Sequence, residues 1–276
     1  MLQCNGPGAP ETPAFVKSVQ GVQSTGDITL ARSPSPDLRE ISKALASSEK
    51  KLPMDGDLRG QALTELARLC FILGEFGEER ESESYFDRGR HYAELLSREQ
   101  PDRVEGHYWL GLNIAGLAKV GGAGRGLRLV PTIIEKLEVA LVIDETYDQA
   151  GPHRTLGRIY CKAPCWPLSE GDINKSLEHL RAAVEIAPEN STNHLYLAET
   201  LIQLGKSGEA YRELERVFTS TRHAIWQHGL EQDRQEVLGL MRHCERPEAD
   251  THQTERTGTI LLPGEVSTAN NTAGRK

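Results

Sequence analysis

Apolar residues recur at intervals of three and four between about Asp37 and Arg246, which is the period of an amphipathic helix. The clearest apolar faces are Leu63, Leu66, Leu69 and Leu73; Leu137, Val139, Ala140 and Ile143; Leu177, Leu180, Ala183 and Val184; and Leu197, Leu201 and Leu204. The alternation of apolar and polar residues that is typical of strands is nearly absent. The pattern therefore predicts an all-α fold.

A second regularity joins a leucine to a small residue. The steps are Leu66-Ala67, Leu110-Gly111, Leu156-Gly157 and Leu197-Ala198, and eight residues beyond each leucine stand Gly74, Ala118, Pro164 and Gly205. We expect the first small residue to admit a neighbouring helix and the later residue to end its own helix. Pro101 and Pro188 are expected to end the helices before the second and fourth steps. Such repeats predict antiparallel helix pairs that stack, because one pair alone cannot bury its apolar face.

These intervals resemble tetratricopeptide repeats, and the segment from Ser191 to Val217 fits the usual frame without gaps. The earlier units are stretched, since Leu66 to Leu96 spans thirty residues and Leu197 to Val217 spans twenty. We therefore predict a tetratricopeptide-like α-solenoid of antiparallel helix pairs with lengthened helices. A C-terminal capping helix is predicted over 232–244, with an inner face of Leu238, Leu240 and Met241.

Four runs resemble a particular family, the T-component proteins associated with TRAP transporters. They are GHYWLGLN (106–113), YDQAGPHRTLGRIY (147–160), KAPCWP (162–167) and SEGD (169–172). The likeness covers about 37–246, and 147–172 is its distinctive part. The resemblance implies a helical protomer, a homotrimer, a periplasmic lipoprotein setting and a role beside a solute-binding protein.

Composition delimits the helical region. The segments 1–36 and 247–276 are poor in apolar residues and are expected to be disordered tails flanking a repeat domain over 37–246. The net charge of −8 argues against a nucleic-acid partner, and no stretch approaches the ~20 apolar residues of a transmembrane segment. No secretory signal is visible, so we expect a cytoplasmic protein from the sequence as it stands, or a periplasmic lipoprotein if a signal precedes this start.

The leading candidates for a binding groove are Arg154, Arg158 and Lys162, which lie four apart on a predicted first helix. Helical spacing places the three cations on one face. First helices line the concave surface of a stacked-pair solenoid, where a basic groove would receive a carboxylate or an acidic peptide. The alternative is a solvated stripe whose cations pair with the many glutamates.

Aromatic and polar residues nearby extend the predicted groove. Tyr108 and Asn113 fall on the preceding first helix with Trp109, which is either a binding anchor or part of the core. Trp166 stands in a loop stiffened by prolines, either as the rim of a ligand cavity or as a plug between helix pairs. Ser169 or Asp172 is expected to cap the helix that follows this loop.

No pattern indicates catalysis, a cofactor or a metal, and we predict that the protein is not an enzyme. Cys161 and Cys165 are interpreted as structural thiols, since zinc modules use closer spacing and four ligands. Cys70 is expected to serve packing. The glycine-rich segment 121–126 lacks the ending of a phosphate loop and is interpreted as a turn between helices.

Two functions follow as the main hypotheses, beside a weaker third, a hydrolase built on a helical stack. The first is a non-catalytic binding protein for a protein partner or a small anionic or amphipathic ligand, working with a solute-binding protein as a T-component does. The second is a structural scaffold that uses the same surfaces to form a homo-oligomer.

Overall fold

The computed structural model describes residues 36–165, 168–221 and 229–241. Within these ranges the chain forms ten α-helices and no strand beyond one isolated bridge. In chain order they are α1 (Pro36–Lys50), α2 (Gly56–Phe76), α3 (Glu79–Glu99), α4 (Val104–Val120), α5 (Gly122–Ile143), α6 (Tyr147–Lys162), α7 (Ile173–Ile186), α8 (Ser191–Gln203), α9 (Ser207–Thr219) and α10 (Gly229–Met241). The all-α prediction is confirmed. The predicted tails lie outside the described residues, apart from Pro36.

The chain divides into two compact units, with the boundary after Lys136 inside α5. In unit 1, α3 packs between α2 and α4, α4 also contacts α2, and α1 covers α2. In unit 2, α6 pairs with α7 and α8 pairs with α9. Helix α8 also contacts α6 and α7, and α10 packs on α8 and α9. These are the stacked antiparallel pairs that the leucine steps predict. None of the described helices is both long and apolar enough to cross a bilayer.

The stretched spacing of the early repeats lengthens their helices, as predicted. Helices α2 and α3 have 21 residues each and α5 has 22, whereas α8 and α9 have 13 each. The interpretation of 121–126 as a turn between helices is correct only at Gly121, because α4 ends at Val120 and α5 begins at Gly122. Gly122 has a positive φ of 74°, a backbone conformation that a residue with a Cβ rarely adopts.

Small residues act in two ways. Gly205, with φ at 71°, and Pro164 follow the ends of α8 and α6 as predicted. Helix α2, however, continues past Gly74, so this glycine does not end it. Gly74 and Gly116 flank the ring of Phe86, and a Cβ at either position would overlap that ring. These glycines leave the space in which Phe86, the largest apolar side chain of α3, packs between α2 and α4.

Most predicted core faces are correct, including all four leucines of α2. The face on α5 is partly wrong: Leu137 and Ala140 are buried, while Val139 is 37% and Ile143 38% exposed. Helix α10 begins and ends about three residues earlier than predicted. Val237 and Asp233 are buried, and Leu240 and Met241 pack against the core around Val237, as predicted. Leu238 is 43% exposed and lies on the outer side, since one residue turns the helix by about 100°.

Candidate functional site

The three cations of α6 lie on one face of that helix, turned towards α8. Arg154 reaches Asn193 of α8, while Arg158 and Lys162 both reach Glu199, six residues further along α8. Helical periodicity explains the arrangement, because residues four apart lie one above the other along the axis. The predicted common face is therefore present, although its first member differs from the other two in burial.

Arg158 and Lys162 share a single carboxylate. Arg158 forms an ion pair with Oε2 of Glu199, and Nζ of Lys162 lies 3.1 Å from Oε1. The guanidinium carbon of Arg158 also lies 4.1 Å from the ring centroid of Tyr196, in cation–π contact. The side chains of Arg158 and Lys162 remain 27% and 31% exposed, against 10% for Glu199. Two partly open cations thus converge on one buried anion.

Charges from α10 complete the electrostatics of this face. Burial lowers the pKa of Lys162, the neighbouring charge of Arg158 lowers it further, and Glu236 of α10 opposes this. Burial raises the pKa of Asp233, although Ser191 and Thr192 donate hydroxyl hydrogen bonds to its carboxylate at 2.5 and 2.9 Å. The cluster is rich in charge, and its exposed part combines the cations Arg158 and Lys162 with the carboxylate of Glu236.

Arg154 is buried, with only 2% of its surface exposed, and its role is structural. Its Nη2 donates to the carboxylate of Asp148 at 2.7 Å, and its Nη1 donates to the carbonyls of Asp148 and Gln149 at 3.1 and 3.0 Å. Asp148, Gln149 and Ala150 adopt φ of 50°, 58° and 64°, the left-handed region that residues with a Cβ avoid. Arg154 therefore stabilises a strained turn at the start of α6.

The first turn of α8 is polar and buried, which the sequence analysis did not anticipate. Its residues are Asn190, Ser191, Thr192, Asn193 and His194. The side chain of Asn190 caps α8 by accepting hydrogen bonds from the amides of Thr192 and Asn193. Asn193 donates to the carbonyl of Ala183 at 2.9 Å, which ties α8 to α7. Asp172 caps α7 in the same way, as predicted.

Histidine at one repeat position was also missed. It stands three residues before the leucine of the repeat, at His107, His153 and His194. In each case Nε2 contacts an oxygen of the preceding turn, at 2.8 Å for Pro101 O, 3.4 Å for Glu145 Oε2 and 2.7 Å for Pro188 O. The signal, His-x-x-Leu followed by glycine or alanine, was readable in the sequence as a tie between a first helix and the turn before it.

Tyr108 and Asn113 lie in unit 1, where neither has exposed surface. Asn113 donates to the carbonyls of Trp109 and Ala67 at 2.8 and 3.3 Å, which ties α4 to α2. Trp109 is 2% exposed and lies 5.2 Å from Tyr108, ring centroid to ring centroid, so it belongs to the core. Trp166 lies outside the described residues.

The cysteines among the described residues are free thiols. Burial raises the pKa of Cys70 to about 12, so this thiol stays protonated at neutral pH and serves packing, as predicted. Cys161 accepts a hydrogen bond from Gln203 at 3.2 Å, and Cys165 is exposed. In the ranges that the structure describes, no group of three histidine, cysteine or acidic side chains is placed to hold a metal ion.

Helix pairs with small residues at their close approaches define an all-α protein of tetratricopeptide-like architecture. Residues 168–232 match the sequence model of the tetratricopeptide repeat family. Among solved structures, the chain is similar to a thermophilic TPR protein of Thermus thermophilus, with a TM-score of 0.54 and 19% identity over 73% of this chain and 92% of the other. No curated protein is significantly similar in sequence.

Proposed function

We propose that the protein is a non-catalytic binding protein that holds a carboxylate of its partner on the α6–α8 face of unit 2. The observation that carries the proposal is the convergence of Arg158 and Lys162 on Glu199, with both cations still partly exposed. Repeat folds of this type bind partners on surfaces lined by first helices. The matched segment 168–232 includes α8, one of the two helices that form this face.

Each residue has a distinct part in this proposal. Arg158 offers the planar guanidinium that suits a carboxylate, and its stacking on Tyr196 orients it. Lys162 adds a point charge, and Glu199 holds the two cations together while no partner is bound. Arg154 supports the helix from within instead of touching the partner, since it is buried. Tyr108 and Asn113 likewise support unit 1, and Trp166 stays a predicted rim residue.

Reversing both open charges tests the proposal. The probe is a fluorescein-labelled peptide of alternating Asp and Glu, and its neutral counterpart carries Asn and Gln. We expect Arg158→Glu with Lys162→Glu to weaken binding of the acidic peptide about tenfold or more, since each close charged contact is worth ~1 kcal/mol or more. Fluorescence anisotropy at low and high salt measures the affinity.

The matched control reverses Arg212 and Arg216, two exposed arginines of α9, and makes the same change in net charge. Glu199→Gln should act in the opposite direction and tighten binding, because it removes the anion that competes with the partner's carboxylate. Equal loss of affinity in the two charge reversals would attribute binding to net charge alone and contradict the proposal.

The narrower form of the proposal follows the resemblance to the T-component proteins. In this form the chain is an accessory subunit that binds the solute-binding protein of a TRAP-type transport system, and an acidic segment of that protein would supply the carboxylate. Its support is the run 147–160, which forms α6 and carries Arg154 and Arg158.

One observation favours the scaffold alternative. Val139, Val142 and Ile143 form an apolar stripe along the last turns of α5, and Val142 is 88% exposed. Analytical ultracentrifugation separates the two functions when the chain is run alone and then with the solute-binding protein of a TRAP-type transport system. A trimer of the chain that Val142→Glu converts to monomer supports the scaffold. A mixed complex that survives Val142→Glu but not Arg158→Glu supports the accessory role.

A further inference from the structure

Two histidines meet ring to ring where α6 packs on α7. His153 Nδ1 lies 3.0 Å from His179 Nδ1, which is hydrogen-bond distance. The ring centroids are 5.2 Å apart and the planes are tilted by 50°. On its other side the His179 ring stacks on Tyr160 of α6, at 8° between the planes. The pair is half-buried.

The number of protons decides whether this contact exists. A hydrogen bond between two imidazoles needs one nitrogen that donates and one that accepts. The contact therefore forms when both rings are neutral or when one is charged. When both rings are charged, every ring nitrogen carries a proton, so two N–H groups and two positive charges face each other at 3.0 Å.

The charged and titratable groups around the pair come from helices α5, α6 and α7 and from the loops before α6 and α7. Glu145, before α6, faces Nε2 of His153 at 3.4 Å. On α7, Glu178 raises and Lys175 lowers the pKa of His179, while burial and the neighbouring His153 make the larger contributions and lower it. Tyr160 adds its ring, and burial raises its pKa, with further rises from Glu138 of α5 and from Glu170 and Asp172. Glu145 thus gives His153 an anionic partner, whereas the surroundings disfavour a proton on His179.

We propose that His153 and His179 form a proton-sensing contact that holds α6 against α7 at neutral pH and is lost in mildly acidic solution, when both rings are protonated. The pKa of His179 is lowered, which is the direction that this proposal requires. Its neutral form is preferred in the folded protein, so the stability it confers is complete above its ordinary pKa of 6.5 and declines as the pH falls below that value.

The position of the pair gives this contact a consequence for α6. His153 adjoins Arg154, whose guanidinium holds the left-handed turn at Asp148 and Gln149. Loss of the histidine contact would free the first turns of α6 and weaken the support of the face that carries Arg158 and Lys162. This link to binding rests on the function proposed above, whereas the proton-sensing contact does not.

The test compares the full chain with His179→Asn, because the asparagine amide takes the place of Nδ1 and does not titrate. Lowering the pH from 7.5 to 5.5 should reduce the Tm of the wild type by about 2–4 °C more than that of His179→Asn. His91→Asn, which removes an exposed histidine of α3 in unit 1, should keep the full pH dependence. Equal pH dependence in His179→Asn and wild type would overturn the proposal.

Nitrogen-15 NMR of the imidazoles tests the contact in the unmodified protein and does not depend on how a variant folds. At pH 7.5 the two Nδ1 signals should show one protonated and one unprotonated nitrogen. As the pH falls, the second Nδ1 should gain its proton in a separate step, because the first positive charge opposes it, and the amides of 148–150 should shift with that step. Two Nδ1 atoms that titrate independently would overturn the proposal. So would a rise in Tm with Zn²⁺ that His179→Asn abolishes, since the pair would then be a metal site.

Binding of the acidic peptide at pH 7.5 and 5.5 separates the two proposals. If the proton-sensing contact is absent, the Tm and NMR results fail while the loss in Arg158→Glu with Lys162→Glu persists at pH 7.5. If the proposed function is wrong, the peptide does not bind at either pH while the Tm and NMR results stand.

Discussion

Replacing Phe86 by alanine is expected to lower the free energy of unfolding by about 3–5 kcal/mol, which is the usual loss for a large aromatic ring removed from a core. Phe86 is 1% exposed and occupies the slot between Gly74 of α2 and Gly116 of α4. Its centroid lies 5.7 Å from that of Phe71. Removing the ring therefore leaves a cavity, and the two glycines cannot fill it because they have no side chains.

Denaturant unfolding followed by circular dichroism measures this loss. The matched control is Phe218→Ala on α9, whose ring is 40% exposed and which should cost less than about 1 kcal/mol. Gly116→Ala should also destabilise the protein, because its new Cβ would overlap the ring. In the Phe86→Ala background, however, the same methyl group enters the cavity and should stabilise. Additive effects of the two changes would show that the slot does not have the geometry described.

The fold was predictable because its signal is periodic. Burial at Leu63, Leu66 and Leu73 repeats every three or four residues, and the steps such as Leu156-Gly157 mark the close approaches of helices. Periodicity fails where a helix carries more than one apolar stripe. On α5, Leu137 and Val139 are equally apolar, and only tertiary packing determines which of them is buried.

The candidate site was predictable only in part. Spacing places Arg154 and Arg158 on one face of α6, but it does not identify their partners. Those partners, Asp148 and Glu199, are 6 and 41 residues away, and one of them stands in a left-handed turn that nothing in its residue types indicates. Without these partners, the sequence does not distinguish the buried Arg154 from the partly exposed Arg158.

The buried start of α8 was missed for the opposite reason. Polar residues such as Ser191 and Asn193 ordinarily indicate surface, yet here the cap, the hydroxyl bonds to Asp233 and the amide bonds to α7 satisfy them inside the protein. Polar residues can be buried when other groups of the protein supply their hydrogen-bond partners. Only the structure shows whether such partners are present.

Arg154→Met is expected to lower the free energy of unfolding by about 3–5 kcal/mol, because it breaks a buried ion pair while keeping most of the side-chain volume. Asp148, with a side chain only 19% exposed, would keep its charge without the guanidinium that now contacts it at 2.7 Å. The control Arg181→Met breaks a pair with Glu209 whose members are 54% and 41% exposed, and it should cost ~0–1 kcal/mol.

Two second-site changes distinguish two roles of Arg154, namely its ion pair with Asp148 and its support of the left-handed turn. Asp148→Asn added to Arg154→Met should restore part of the lost stability, since the buried charge is gone. Ala150→Gly should also reduce the cost of Arg154→Met, because glycine adopts a φ of 64° without strain and no longer needs the guanidinium to hold the turn. Rescue by the first change alone assigns the role of Arg154 to charge, and rescue by the second alone assigns it to the backbone. If neither change rescues, Arg154 stabilises α6 through its contact with Asn193 of α8, and the left-handed turn is not what it supports.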